Sequence, residues 1–166
     1  IVERLWTPHR EYRRHISEEL NTATRVEGAT FVALDSTAPR TAITNGRITR
    51  EQLEFCTEQF RNTPAGDARI VVAHHHFAPA PDYESDQTLS QAQRAMDCFL
   101  SLGVDLILGG HLHRAYIGNS LDVYPKSNRE RGIVIVQSGT STSRRGRGRE
   151  RERNSFNVIK ISDQML

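Results

Sequence analysis

The segment from Val104 to His113 most constrains what this chain can fold into. A largely apolar run, Val104–Leu108, is followed by two glycines and then by His111 and His113. A short apolar run bounded by glycine is typical of a strand that is buried on both faces of a parallel sheet. Loops that follow such strands usually bind ligands. The segment therefore predicts an α/β fold with two imidazoles at a ligand-binding edge of the sheet.

A second run of the same kind lies upstream. Arg69–Ala73 is mostly apolar and ends in three consecutive histidines, His74 to His76. Between the two runs, Gln87–Leu102 has helical spacing of its apolar residues and is closed by Gly103. A strand, a helix and a strand in this order predict a parallel crossover, which brings both histidine clusters to the same carboxyl edge of the sheet.

These imidazoles suit a site for transition metals. In an extended segment, His111 and His113 point the same way, with Cα atoms roughly 6.5 Å apart. Neutral imidazole is a common ligand of divalent metals, and two ions about 3.5–4 Å apart are the arrangement that displaces phosphoesters. An isolated His-x-His also occurs in loops, where one imidazole caps a turn and the other faces water. The second histidine cluster favours the metal site.

Two motifs in these segments resemble those of the calcineurin-like metallophosphoesterases, especially the bacterial branch of cyclic-nucleotide and glycerophosphodiester phosphodiesterases. The first is the strand-then-histidine motif at Val71–His75, and the second, more specific one is Gly-His-x-His at Gly110–His113. Softer similarities to the family's strand, loop, helix and closing strand lie at Phe31–Thr37, Gly46, Glu51–Leu53 and Asn154–Ile159. The resemblance covers most of the chain.

The resemblance implies a particular α/β fold, the carboxy-terminal half of a four-layer α/β/β/α sandwich. The family builds its site from five blocks, and the first three, Asp-x-His, Gly-Asp and Gly-Asn-His-Asp/Glu, have no counterpart here. Gly66-Asp67 and Gly118-Asn119 stand in the wrong order for these blocks, and we interpret them as turns. We therefore expect a single partial metallophosphoesterase domain over residues 1–166, taken from the carboxy-terminal part of a longer protein.

The same resemblance implies the chemistry. His74 and His111 would bind one metal ion and His113 the other, while His75 would contact substrate or support the ligands. His76 has the same two roles open to it, or is a surface imidazole. The cofactors would be two divalent ions of manganese, iron, zinc or cobalt, and a hydroxide bridging them would attack the phosphorus of a phosphodiester or phosphomonoester. Because the missing blocks supply the other ligands, we expect this chain alone to bind metal weakly and to hydrolyse little.

The expected partner is a small phosphoester substrate, and two other functions stay open. Six arginines between Arg144 and Arg153 predict an exposed mobile loop, which would serve a nuclease of the same fold if it formed a groove with the loop Pro79–Asp86. Against nucleic acid, the net charge is only +2 and no aromatic residue lies among these arginines. The third function is that of a non-catalytic binding fragment.

The rest of the chain predicts conventional elements. Helices are expected at Pro8–Asn21, at Arg50–Arg61 with Thr49 as its cap, and at Gln87–Leu102; further strands are expected at Thr30–Leu34, Ala115–Ile117 and Ile133–Gln137. His9 and His15 belong to the first, arginine-rich helix, where they are expected to face solvent.

Composition bears on localisation and assembly. No apolar stretch is long enough to span a membrane, so no membrane partner is expected. Cys56 and Cys98 lie on the inner faces of expected helices and should be free thiols, which agrees with a cytoplasmic protein. Half of a sandwich would expose apolar sheet surface, from which we expect self-association.

Overall fold

A six-stranded mixed sheet forms the centre of the molecule. The computed structural model describes residues 6–81, 87–125, 131–147 and 150–162. The strands are β1 Thr22–Val26, β2 Ala29–Leu34, β3 Ala68–Ala73, β4 Leu106–Gly109, β5 Tyr116–Asn119 and β6 Val134–Gln137. The helices within these ranges are α1 Arg10–His15, α2 Arg50–Arg61, α3 Ala92–Ser101 and α4 Ser120–Val123. The predicted α/β class is confirmed.

The strand order is β1-β2-β3-β4-β6-β5. The four central strands run parallel, while β1 and β5 pair antiparallel at the two sides. In this register Leu34 pairs with Ala73, and Gly109 pairs with Gln137. The central strands therefore end side by side, and the loops that follow them start at one edge of the sheet. The expected parallel pairing of β3 with β4, across α3, is confirmed.

The core lies between the central strands and helices α2 and α3. The apolar runs seen in the sequence supply its sheet side, where Val71, Ile107 and Ile135 are fully buried. Phe60 from α2 and Phe99 from α3 supply its helix side and are likewise buried. Burial of each such side chain stabilises the fold by roughly 1.5–3 kcal/mol. This packing fixes the level at which the parallel strands end.

Helix α2 has the predicted bounds because its first turn is capped. The Thr49 side chain accepts a hydrogen bond from the backbone N–H of Gln52, and Oε1 of Gln52 accepts one from the Thr49 N–H at 2.8 Å. The Gln52 amide also donates to the carbonyl oxygen of Asp35 at 2.7 Å. The cap therefore ties α2 to the backbone just beyond β2.

The amino-terminal helix is much shorter than expected, since α1 covers only Arg10–His15 of the predicted Pro8–Asn21. None of its residues is buried, and Ile16 is exposed. A helix gains most of its stability from packing an apolar face, and this one packs none. Strand β1, which no sequence pattern predicted, follows instead; its residues from Ala23 to Val26 are exposed, so they carry no in-out alternation.

Three further elements differ from the sequence prediction. Strand β5 covers Tyr116–Asn119 and not Ala115–Ile117, so Gly118 and Asn119 lie in a strand and not in a turn. Helix α3 starts at Ala92 and not at Gln87, because Gln91 adopts a left-handed conformation. The expected closing strand at Asn154–Ile159 has no strand assignment, and Phe156 and Val158 are 81% and 85% exposed. The described residues thus form one layer of sheet. Within those ranges, no helix is long and apolar enough to cross a membrane.

We predict that Thr49→Ala lowers the free energy of unfolding by about 1 kcal/mol, because the backbone N–H of Gln52 loses its side-chain acceptor. The measurement is urea denaturation followed by circular dichroism. Thr44→Ala, at an exposed threonine of the preceding loop, is the matched control and should leave the midpoint nearly unchanged. Equal midpoints for Thr49→Ala and the wild type would contradict the capping role.

Candidate functional site

Four histidines converge at the carboxyl edge of the sheet, as the sequence predicted for its two clusters. His74 to His76 follow β3, and His111 follows β4 after one residue. Nε2 of His74 lies 3.2 Å from Nδ1 of His111. The ring centroids of His75 and His111 are 4.6 Å apart. The edge thus carries a contiguous imidazole cluster, formed by His74, His75, His76 and His111.

The turn through His111 and His113 is not the extended segment that the spacing suggested. Both residues have left-handed backbones, with φ of 73° and 55°. Between them, the N–H of Leu112 donates to the carbonyl of Gly110, and the Leu112 side chain is buried. The chain therefore turns around Leu112, and the two histidines contact different neighbours. Such conformations cost of order 1–3 kcal/mol each and tend to occur at functional sites.

His113 contacts the arginine-rich segment. Its Nδ1 lies 3.2 Å from the carbonyl oxygen of Arg145, and its own carbonyl accepts a hydrogen bond from the N–H of Arg147 at 3.0 Å. Because a carbonyl only accepts, Nδ1 carries the proton, which leaves the lone pair of His113 on Nε2. The segment was expected to be a mobile loop, but its described part is bonded to the site.

A half-buried carboxylate, that of Glu150, explains this attachment. Glu150 accepts hydrogen bonds from the backbone N–H of Ala115 at 3.0 Å and from the Ser155 hydroxyl at 3.2 Å. Gly139 packs so closely against Glu150 that a Cβ there would overlap its carboxylate. The arginine-rich stretch is thereby folded back onto the residues that follow His113. The sequence offered no signal for this role, since Glu150 is embedded among arginines.

His75 is held by a serine at the end of the neighbouring strand. Ser36 Oγ lies 2.8 Å from Nδ1 of His75 and accepts a hydrogen bond from the backbone N–H of His75 at 3.0 Å. Gly46, which has a φ of 70°, packs against the pair, and a Cβ on it would come within 2.5 Å of His75 Nδ1. The softer similarity at Phe31–Thr37 and Gly46 therefore lies directly against the imidazole cluster.

His76 is buried, with 2% of its surface exposed, and its ring stacks on that of His111 with centroids 5.6 Å apart. The interpretation of His76 as a surface imidazole is wrong. The loop that follows it is fixed by two tyrosines, because the hydroxyls of Tyr124 and Tyr116 donate to the carbonyls of Phe77 and Ala78. No local sequence pattern predicts these long-range hydrogen bonds, which hold the segment after His76 against the body of the protein. Residues 82–86 of the Pro79–Asp86 loop lie outside the described residues.

A cavity of about 630 Å³ lies beside the cluster. Its walls are formed by residues 7–12, by residues 37–39 with Ile43, and by His74, His75 and His111. His9 was expected to face solvent, yet it lines this cavity, with Nε2 3.0 Å from the Thr37 hydroxyl and 3.2 Å from an Asp35 carboxylate oxygen. Only the fold brings His9 to residues so distant in the chain. His15 is exposed, as expected.

The cluster favours neutral imidazoles. Burial lowers the pKa of His74, and the positive charge that His113 can carry lowers it further. Burial, and then the neighbouring histidines, lower the pKa of His75 from 6.5 to about 4, with Asp35 opposing the shift. At neutral pH these rings are uncharged, and each keeps one nitrogen lone pair. Neutral imidazole is the form that binds metals.

The side-chain nitrogens at this edge meet some of the requirements of a divalent metal site. The 3.2 Å between His74 Nε2 and His111 Nδ1 is the separation expected of two ligands on one ion with bonds of roughly 2.0–2.1 Å. Within the described ranges, no group of three or more histidine, cysteine or acidic side chains is placed to hold an ion together. The side-chain amide of Gln137, fully buried at the end of β6, has no hydrogen-bond partner among the described residues. Such an unpaired group is expected where a ligand or water belongs.

Comparisons with known proteins identify the fold. No protein-family model and no curated protein matches this chain. The solved structure of PhoD aligns with a TM-score of 0.55 and 12% identity over 80% of this chain and 33% of PhoD. A Staphylococcus aureus protein assigned as a 5'-nucleotidase, solved with alpha-ketoglutarate, aligns over 75% of this chain and 24% of its own, with 14% identity and a TM-score of 0.42, which is too low to carry an argument.

The fold of this chain therefore resembles that of part of PhoD. The chain spans about a third of the length of PhoD.

We predict that Gly46→Ala destabilises the fold by roughly 1–3 kcal/mol, because a side chain at this positive φ is strained and its Cβ overlaps His75 and Ser36. Thermal unfolding measures the loss. Gly28→Ala is the control, since Gly28 also has a positive φ but its Cβ would meet open space. If the two variants unfold at the same temperature, close packing at Gly46 is not a constraint.

We predict that acid destabilises the metal-free chain between pH 6.5 and about 4. In this window the unfolded chain binds a proton at His75 that the folded chain does not, so the free energy of unfolding falls as the pH is lowered. Below about pH 4 both states carry the proton and this contribution stops changing. Urea midpoints measured across the range in a chelator should slope less in His75→Gln than in the wild type; identical slopes would contradict the assignment.

Proposed function

We propose that this chain is part of a metal-dependent phosphoester hydrolase, and specifically of a phosphodiesterase. The observation that carries the proposal is the 3.2 Å approach of His74 Nε2 to His111 Nδ1, two nitrogens from different strand ends. Two neutral imidazoles so placed are a ready pair of ligands for one ion. The likeness of the fold to that of PhoD supports the same reaction class.

His113 is the proposed ligand of a second ion. Histidines that bind metals almost always donate their other ring N–H to a carboxylate, a backbone carbonyl or water. The Nδ1–H of His113 does this toward the Arg145 carbonyl. His113 therefore keeps the lone pair of Nε2 for binding a metal. This nitrogen is separate from the pair made by His74 and His111.

The substrate site is the cavity beside these histidines. Divalent ions, when bound, would supply a nucleophile at neutral pH and relieve charge on the phosphoryl oxygens. Burial within the chain lowers the pKa of His74, and its strand ends fix the orientation of the ligands. Its cavity walls at Pro39, Ile43 and Tyr12 offer apolar surface for the organic part of a small phosphoester. Manganese, iron, zinc and cobalt all accept imidazole, and we propose no order among them.

We propose that the other ligands come from elsewhere in a longer protein. A catalytic zinc ion usually has three protein ligands, and the described residues offer the pair His74 and His111 with His113 set apart. The chain by itself should therefore bind metal weakly.

A nuclease of the same fold is the second candidate. It is favoured by one observation, the attachment of the arginine-rich segment to His113. Arg144, Arg145 and Arg147 are exposed there. Hydrolysis of single-stranded DNA, with binding that weakens steeply as salt rises, would favour it over a small-substrate enzyme.

The test is manganese-dependent hydrolysis of bis-p-nitrophenyl phosphate, by this chain and by the chain supplied with an amino-terminal part that carries the three missing motifs. We predict that His111→Ala and His113→Ala each lower the rate by more than about 100-fold, because losing an outer partner of a ligand alone costs about 10- to 100-fold. His15→Ala, an exposed histidine on α1, is the matched control and should retain the rate.

Calorimetric titration with manganese gives an independent readout. Weaker binding in His111→Ala than in His15→Ala is the expected result. Unchanged hydrolysis and metal binding in both site variants would overturn the proposal and favour a non-catalytic binding role.

A further inference from the structure

The register of the sheet places Ser36 beside His75. Leu34 pairs with Ala73 across β2 and β3, so the second residue past each strand end lies at the same level. Both residues are buried, Ser36 with 1% and His75 with 5% of its surface exposed. Ser36 is also held from behind, since its carbonyl accepts a hydrogen bond from the Arg47 N–H at 2.9 Å. The serine is thus a fixed part of the edge.

The hydrogen bonds of Ser36 select one tautomer of His75. The hydroxyl oxygen already accepts the backbone N–H of His75. A buried hydroxyl proton needs an acceptor, and among the described residues the hydrogen bonds of Ser36 offer it Nδ1 of His75, at 2.8 Å. Nδ1 is therefore an acceptor, and the ring proton lies on Nε2.

We propose that Ser36 is a positioning residue that holds His75 in the Nε2–H tautomer, so that His75 donates a hydrogen bond to an anionic phosphoryl oxygen bound in the cavity. His75 lines that cavity, and Nε2 is its ring nitrogen left for a ligand. The identity of the ligand rests on the proposed function, whereas the tautomer does not.

A donor of this kind suits its surroundings. A neutral N–H attracts an anionic oxygen without adding a charge beside His74 and His111, whose ring nitrogens lie at the same edge. A preorganised donor costs no reorganisation when charge develops on the substrate. Gly46 packs against the Nδ1 side of the ring.

The experiment is long-range ¹⁵N–¹H correlation spectroscopy of the histidine rings, on the full 166-residue chain at neutral pH in a chelator. The wild type should show His75 protonated at Nε2 alone. Ser36→Ala should show a mixture of tautomers, and Ser36→Thr, which keeps the hydroxyl, should restore the single form. A wild-type ring protonated at Nδ1, or no change in Ser36→Ala, would overturn the proposal.

Ser120→Ala is the matched control for lost stability. Its hydroxyl is equally buried and accepts a backbone N–H, that of Ile133, at 2.8 Å, away from the histidines. It should lower the melting temperature as Ser36→Ala does but leave the His75 tautomer unchanged. A tautomer change in Ser120→Ala as well would mean that the effect is general loosening, and would overturn the positioning role.

Two further experiments test the role of Ser36 and His75 independently of the proposed function. Inorganic phosphate added to the chain with manganese should shift the His75 Nε2–H resonance in the wild type, and no shift would overturn the donor role. In the active protein, Ser36→Ala should lower kcat/KM by about 10- to 100-fold, as expected for a lost hydrogen bond to a charged group, while manganese affinity stays unchanged. If no form hydrolyses phosphoesters, the proposed function fails, while the spectra still decide the role of Ser36.

Discussion

The shared level at which the parallel strands end is the constraint on which the rest of the structure depends. Backbone pairing in register sets Leu34 beside Ala73 and Gly109 beside Gln137. Ser36, His74, His75, His76 and His111 all lie one to three residues beyond the ends of these strands. A slip of one residue in any strand would turn its side chains to the opposite face and separate the histidines. The apolar core therefore acts on the site indirectly, because it holds the strands in this one register.

The sequence predicted those features whose cause is local. Continuous apolar runs indicated buried parallel strands, Thr49 as a cap indicated the start of α2, and strand ends followed by histidines indicated a shared edge. The α/β class followed from the same runs. The structural features that local patterns did not predict depend on contacts between residues far apart in the chain. The burial of His76 accompanies tyrosine bonds formed some 40 residues later in the chain.

The same distinction explains the errors in the site. Alternate residues in an extended segment were expected to point together, but a buried leucine between them turns the chain and sends His113 toward Arg145. Tyr12, Ile16 and Leu20 stand at helical spacing and favour an amino-terminal helix, but no residue of α1 is buried and Ile16 is exposed. His9 reaches the cavity because Asp35 and Thr37 happen to face it in three dimensions. No sequence spacing predicts the contact of His9 with Asp35 and Thr37.

The bond between His113 and the Arg145 carbonyl joins two parts of the molecule that would otherwise be considered separately. One is a buried strand end with ligand chemistry, and the other is a charged surface stretch open to its surroundings. Whatever restrains the surface stretch also restrains the imidazole, and thermodynamic linkage makes the effect mutual. A change in the conformation of the arginine-rich stretch therefore also changes the position of the His113 imidazole.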